Sequence, residues 1–175
     1  MKYEIIKTTK TFNFQDFKDD LMEVENIFHE DIRETWEDKL ENLINSKCAL
    51  LCMVDHRIIG EAYTLDADFM RAEDDEDYDD FKHLNAICDM MEKENALYLS
   101  SLAVLHQYKG NGIASGFMQM IIADAKHKKH TAIYSHAHEG ASTYLHEKFG
   151  GKALLKRENW FDTGDTYILY KIELN

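Results

Sequence analysis

Proline is absent from this chain of 175 residues, so no proline-rich linker divides it. Cysteine is scarce: Cys48, Cys52 and Cys88 do not make a disulfide framework in a chain this long. No apolar run approaches the roughly 20 residues of a membrane span, and residues 1–7 lack the apolar stretch of a secretory signal. Positive charge is short as well, with 20 Lys and Arg against 33 Asp and Glu, a net charge of −13. These absences predict a cytoplasmic protein with no membrane partner. The negative excess also opposes binding of nucleic acid phosphates.

What is present suits one domain, residues 1–175. Hydrophobic residues make up 45% and aromatics 11%, which argues against disorder despite the charge. The charge is unevenly placed. Residues 1–100 hold 11 basic and 26 acidic side chains, net −15, whereas residues 101–175 hold 9 and 7, net +2. An acidic first half concentrates cations. It also keeps a surface soluble, and charge alone does not separate the two.

Periodicity supplies the elements. Residues 3–6 read as a short strand. Phe14, Phe17, Leu21, Val24 and Phe28 recur at steps of three and four, the mark of one helix face, and Ile32, Trp36, Leu40 and Leu43 mark a second helix. Two apolar runs, 48–54 and 58–65, flank the turn Asp55-His56-Arg57 and predict a hairpin. Residues 66–80 are mostly acidic, with Glu73-Asp74-Asp75-Glu76-Asp77 and Asp79-Asp80, and read as an exposed loop. Leu84, Ile87, Cys88 and Met91 mark a short amphipathic helix. Strands follow at 96–104 and 131–135, helices at 113–126 and 141–149, and closing strands at 153–155 and 166–172. The alternation predicts an α/β fold around a mixed sheet.

The informative stretch is Val104-Leu105-His106-Gln107-Tyr108-Lys109-Gly110-Asn111-Gly112-Ile113-Ala114. A strand ends, a glycine-rich turn follows and a helix begins. Glycine lets the backbone turn tightly and lets a ligand approach the amides. The first helical turn leaves N–H groups free at the positive end of the dipole, which suits phosphate. Neither a Walker loop nor a three-glycine dinucleotide fingerprint is present.

This segment resembles the acetyl-CoA signature of the GNAT acetyltransferase superfamily, Arg/Gln-x-x-Gly-x-Gly/Ala. Lys109-Gly110-Asn111-Gly112-Ile113-Ala114 stands in register, with lysine where arginine or glutamine is usual; Gln107-x-x-Gly110-x-Gly112 also fits. Leu145-His146-Glu147-Lys148-Phe149-Gly150-Gly151 is similar to the family's Leu-Tyr-x-Lys-x-Gly-Phe, and Asn159-Trp160-Phe161 to its late aromatic segment. The likeness covers residues 96–174. It implies an α/β (α+β) fold: a mixed, mostly antiparallel sheet with splayed central strands and helices on both faces. Residues 66–95 then stand where the family has a short link, as a specificity lid or a solvated insertion.

The resemblance implies transfer of an acetyl group from acetyl-CoA to a primary amine in a ternary complex, with no metal. It places the diphosphate on the amides of Lys109, Gly110, Asn111, Gly112, Ile113 and Ala114, with Ser115 nearby, and the pantetheine arm along Leu102, Ala103 and Val104. A lysine-like amine has pKa ≈ 10.4, so at pH 7 about one molecule in 2,500 is neutral. Glu61, Asp66, or Ser100 and Ser101 relaying through water are the candidates to take its proton. The family's tyrosine acid slot holds His146. Tyr144 lies roughly 200° around the same helix, so the leaving thiolate has His146, a shifted Tyr144, or no side-chain acid. Trp160 and Phe161 line the acceptor pocket or pack the core.

The charge split then predicts a cationic acceptor: a polyamine, an aminoglycoside-like amine, or a lysine or N-terminus on a protein. Lys126, Lys128 and Lys129 are placed to neutralise the adenosine end if they face it. His136 and His138 share a strand edge but match no strong zinc spacing. A non-catalytic acetyl-CoA sensor or an acidic protein-binding module is the competing class, and a homodimer is compatible with either.

Overall fold

The computed structural model describes residues 2–71 and 79–174. The acidic run Glu73-Asp74-Asp75-Glu76-Asp77 lies outside these. Seven strands, β1 (Glu4–Lys7), β2 (Cys48–Val54), β3 (Arg57–Leu65), β4 (Leu97–Val104), β5 (Ala132–His138), β6 (Lys152–Arg157) and β7 (Tyr167–Glu173), form one sheet in the order β1-β2-β3-β4-β5-β7-β6. Every neighbouring pair is antiparallel except β4 and β5. The helices are α1 (Lys18–Glu25), α2 (Trp36–Asn45), α3 (Ala67–Met70), α4 (Asp79–Glu94), α5 (Ile113–His127) and α6 (Ala141–Lys148). No helix among the described residues is long and apolar enough to cross a membrane.

The mixed sheet and its helices match the expected architecture. Strands β2 and β3 are buried along nearly their whole length. A strand exposes alternate side chains to opposite faces, so both faces are covered there, by α1, α2 and α5. The predicted first helix is broken. Phe14–Phe17 form a 3-10 turn, α1 ends at Glu25, and Phe28 falls in the link that follows. Arg33 bridges that link, donating to the Phe28 and Asn26 carbonyls at 2.8 and 3.1 Å. Helix α2 starts where Thr35 accepts the Asp38 N–H at 3.2 Å, an N-cap that turns Ile32 out of the helix.

Asp79 and Asp80, expected in an exposed loop, instead open α4, and Asp80 is buried. Asp80 pairs with Arg157 on β6 and accepts the Phe161 N–H at 2.9 Å. One donor on each carboxylate oxygen, a guanidinium and a backbone N–H, offsets the cost of burying it. Ile87, Cys88 and Met91 on α4 pack with Tyr98, Tyr134 and Leu169 of the sheet in a second apolar cluster. Helix α4 is thus packed into the fold along this face.

Under the main core lies a charge cluster. The Lys39 side chain of α2 is fully buried and reaches Glu61 on β3, Glu25 at 2.6 Å and Glu34 at 3.7 Å. Burial works against its ammonium, but the three carboxylates more than offset this and its pKa is raised. Burial also raises Glu61, against the pull of Lys39. Lys39→Met removes the only cation at the centre of this cluster among the described residues. It is expected to cost about 3–5 kcal/mol in urea unfolding at pH 7. The loss shrinks at lower pH, where the stranded carboxylates take protons; an unchanged midpoint at pH 7 would refute the cluster's role.

Candidate active site

Strands β4 and β5 pair at two positions only, Leu97 with Ile133 and Tyr98 with Tyr134. They then part. The Ser135 hydroxyl donates to the Leu99 carbonyl at 3.2 Å, closing the vertex of the gap. Opposite β3, the register slips between Tyr63 and Thr64, whose partners are Ser101 and Leu99. Ser100 is therefore the extra residue of a β-bulge, which bends a strand and re-aims its side chains. Beyond it, the β5-facing edge of β4 has no strand partner among the described residues.

The glycine turn sits at the mouth of this gap. Gly112 has φ 81° and caps α5 without a side chain; Gly110 has φ 80°. Both need the left-handed region that β-carbons disfavour. Asn111 folds its amide back onto the Tyr108 and Lys109 carbonyls at 3.0 and 3.3 Å. The first backbone bond of α5 runs from the Gly116 N–H to the Gly112 carbonyl. No N–H from Gly110 to Ser115 finds an acceptor among the described residues. Six donors thus stay free in and just before the first turn of a helix of 15 residues, which suits an anion.

Three cavities run from this turn through the gap. The first, of about 510 Å³, is lined by Leu102, Val104, Lys109, Gly110, Gly112, Ile113, Ala114, Ser115, Leu145 and Lys148 among others. The second, of about 470 Å³, shares Leu102, Lys109, Ala141 and Ser142 with it and adds Ser100, Ser135, His136 and His146. The third, of about 230 Å³, shares Phe28, Ser100, His136 and Tyr167 with the second and adds Glu25, Glu34, Tyr63, Tyr98, Ser101, Trp160 and Phe161. The groove joins most of the residues singled out in the sequence. Ala103 is the exception on β4, where it packs in the core.

Several placements differ from expectation. Tyr144 faces solvent, 69% exposed, on the outer side of α6. Lys126, Lys128 and Lys129 lie at the far end of α5, about 20 Å from the amides at 1.5 Å per residue. Lys128 pairs there with Asp124 at 2.8 Å. Lys148, not anticipated, lines the first cavity and donates to Ser115 at 3.2 Å. Its signal was the lysine of the α6 motif. Glu61 is fully enclosed, and Ser101, on the wall of the third cavity, donates its hydroxyl to it at 2.9 Å. The carboxylates on the wall of the third cavity are Glu25 and Glu34. Glu34 accepts from the Tyr63 hydroxyl at 2.7 Å and from the Asn42 amide at 2.7 Å, and burial raises its pKa.

His146 is buried, and its ring stacks on Tyr170 at 5.3 Å. Its Nδ1–H donates to the Ser142 carbonyl at 2.7 Å; a carbonyl can only accept, so the tautomer follows. Nε2 is buried without a partner. Burial lowers the pKa, against the Ser142 bond. The ring is neutral and offers a lone pair, so it must take up a proton before it can donate one.

His136 lines the second and third cavities. It is packed on Trp160, with ring centroids 4.2 Å apart, and burial lowers its pKa to about 3. Trp160 is held by a strained turn in which Asn159, Phe161 and Asp162 have φ of 53°, 47° and 59°. Asn159 stabilises it through bonds to Asp162 and Gly164 at 3.0 and 2.8 Å. Such strain persists where surrounding structure over-determines it.

A sheet whose one parallel pair parts beside an uncapped helix start gives an anion site next to an open strand edge, and sequence comparison supplies the family. The profile of the acetyltransferase (GNAT) family matches residues 14–150, and the chain belongs to that family. Among solved structures, the ribosomal-protein-S18-alanine N-acetyltransferase of Escherichia coli is similar at TM-score 0.68 and 12% identity, over 99% of this chain and 95% of that one. An N-acetyltransferase of Staphylococcus aureus Mu50 is similar at 0.65 and 18%, over 100% of both. A GNAT family acetyltransferase of Elizabethkingia anophelis with acetyl-CoA bound is similar at 0.61 and 16%, over 98% of both. No curated protein matches in sequence.

His136 carries a pH signature. Its folded pKa of about 3 lies below the ordinary 6.5 of the unfolded chain. Between these values the unfolded state binds the extra proton, so this contribution is present above pH 6.5 and is lost as pH falls towards 3. The loss amounts to at most about 5 kcal/mol. In His136→Gln the urea midpoint is expected to change less than in the parent between about pH 7 and pH 4.5. Parallel changes would contradict the burial of a neutral ring.

Proposed function

We propose that the protein transfers the acetyl group of acetyl-CoA to a primary amine on a cationic acceptor, by direct attack with both bound. The observation that carries this reading is the run of uncapped amides from Gly110 to Ser115, opening straight into the gap between β4 and β5. These amides suit the diphosphate, with Lys109 and Lys148 adding positive charge on the cavity wall. The open edge of β4 at Ser100, Leu102 and Val104 offers main-chain groups to the pantetheine amides. One such N–H is suited to hold the thioester oxygen as it gains charge. The acetyl-CoA in the similar Elizabethkingia structure supports this cosubstrate.

The acceptor belongs in the third cavity. Glu25 and Glu34 give its wall negative charge, and Phe28, Tyr63, Trp160 and Phe161 give it aromatic faces. Carboxylate and π-face together favour an ammonium-bearing molecule. Deprotonating a lysine-like amine at pH 7 costs roughly 4.6 kcal/mol. After attack, the new N–C bond leaves a proton on nitrogen and the C–S bond breaks to a thiolate. In this reading His146 Nε2, buried without a partner, takes that proton and passes it to sulfur, and the neutral ring favoured by burial supports the role.

Release of free thiol from acetyl-CoA across an amine panel, with products identified by mass, tests the reading. Polyamines are expected to exceed neutral amines, and the preference to fade as salt is raised to about 0.5 M. No thiol with any amine would end the reading, and indifference to salt would end the charge argument. His146→Phe is expected to lower turnover by about 100-fold; a rate within twofold of the parent removes His146 from the mechanism.

A further inference from the structure

One proton has no exit in this scheme, the one the ammonium loses before it attacks. Glu61 is enclosed with Lys39. Across the same cavity stands a different set of groups. The Tyr98 hydroxyl of β4 is 2.6 Å from His136 Nδ1, and His136 Nε2 is 3.0 Å from His83 Nε2 on α4. Two imidazole nitrogens at hydrogen-bond distance share one proton, so each ring's tautomer dictates the other's. Tyr98 and His136 line the third cavity, and His136 also lines the second, where acceptor and thioester would meet. His83 is only half-buried.

We propose that Tyr98, His136 and His83 form a proton wire that drains the acceptor's ammonium proton from the cavity to solvent on the α4 side. The proposal rests on the acetyltransfer reading. The ammonium N–H bond breaks as the Tyr98 oxygen takes its proton and gives its own to His136 Nδ1. His136 passes its Nε2 proton to His83 Nε2, and His83 releases its Nδ1 proton to water. The amine is left neutral, every wire member ends uncharged, and the two tautomers are exchanged. The reverse tautomer set is equally bonded but conducts only inward, so before the next turnover both rings must exchange protons with water, opening their contacts for that step.

The surroundings favour a relay over a resting base. Among the described residues the charged and titratable groups facing the pair are Tyr98 on β4, Asp80 on α4 and Arg157 on β6. Burial lowers both imidazoles, and burial raises Tyr98. None of the three is suited to keep a charge, so a proton entering at one end must leave at the other. The rings are also held in place: His83 meets Trp160 edge-on at 5.6 Å while His136 stacks on it. This gives α4 a role that family membership does not supply, since it brings His83 to the site.

His83→Phe keeps the aromatic contact and removes the exit. Turnover with the best amine of the panel is expected to fall about tenfold or more at pH 7, with KM for acetyl-CoA unchanged. The ratio of parent to variant should close towards one near pH 9.5, where more acceptor arrives neutral. Imidazole in solution should restore His83→Ala but not His83→Phe, whose ring fills the space. A parent-to-variant ratio that stays flat with pH, or that is within twofold throughout, overturns the wire while leaving acetyltransfer intact. A parent that releases no thiol overturns both.

Discussion

The parting of β4 from β5 after two residue pairs organises the molecule. A parallel pair is ordinarily buried and continuous, and an unpaired edge inside a fold leaves backbone groups without partners. Here the opening is held by local devices. Ser100 is extra in the register with β3, Ser135 satisfies the Leu99 carbonyl, and α6, which follows β5, lines the groove with Ala141, Ser142 and Leu145. The donors and acceptors left on β4 then face a groove instead of a strand. At its end α5 begins with six N–H groups unclaimed. Two sets of unsatisfied backbone groups thus meet along one line, as a ligand with amides at one end and phosphates at the other requires.

Charge is arranged around the groove with a consistent logic. The basic side chains on its wall, Lys109 and Lys148, stand by the α5 amides, whereas Glu25 and Glu34 stand at the opposite end. Lys39 holds three carboxylates together beneath that end, one fewer positive charge than would neutralise even two of them. Histidines in the middle are kept neutral by burial. A neutral imidazole can both accept and donate, which is the property a site with two proton transfers needs.

The segment between the hairpin and β4 shows how a local pattern is overruled. Like charges in sequence predicted a solvated loop, and for Asp79 and Asp80 that fails. Arg157, 77 residues further on, and the Phe161 N–H both claim the Asp80 carboxylate. Neither partner is visible from the neighbours of Asp80. The same holds for Phe28, which keeps helical spacing with Val24 but lies in a link folded over the cavity by Arg33.

Short-range features were legible in the chain itself. Strand periods, the hairpin, and the glycine turn before α5 depend on residues close in sequence, because turn geometry and helix capping are decided within a few bonds. The motif residues from Leu102 to Ser115, and His146 in the tyrosine slot, could therefore be named from spacing and resemblance. Long-range chemistry was not legible. That Glu61 is locked to Lys39, that Tyr144 faces outward, and that His83 meets His136 from 53 residues away follow only once the sheet has closed. Desolvation, which raises Glu61 and lowers both imidazoles, is a property of the packed surroundings, and no single stretch of sequence contains it.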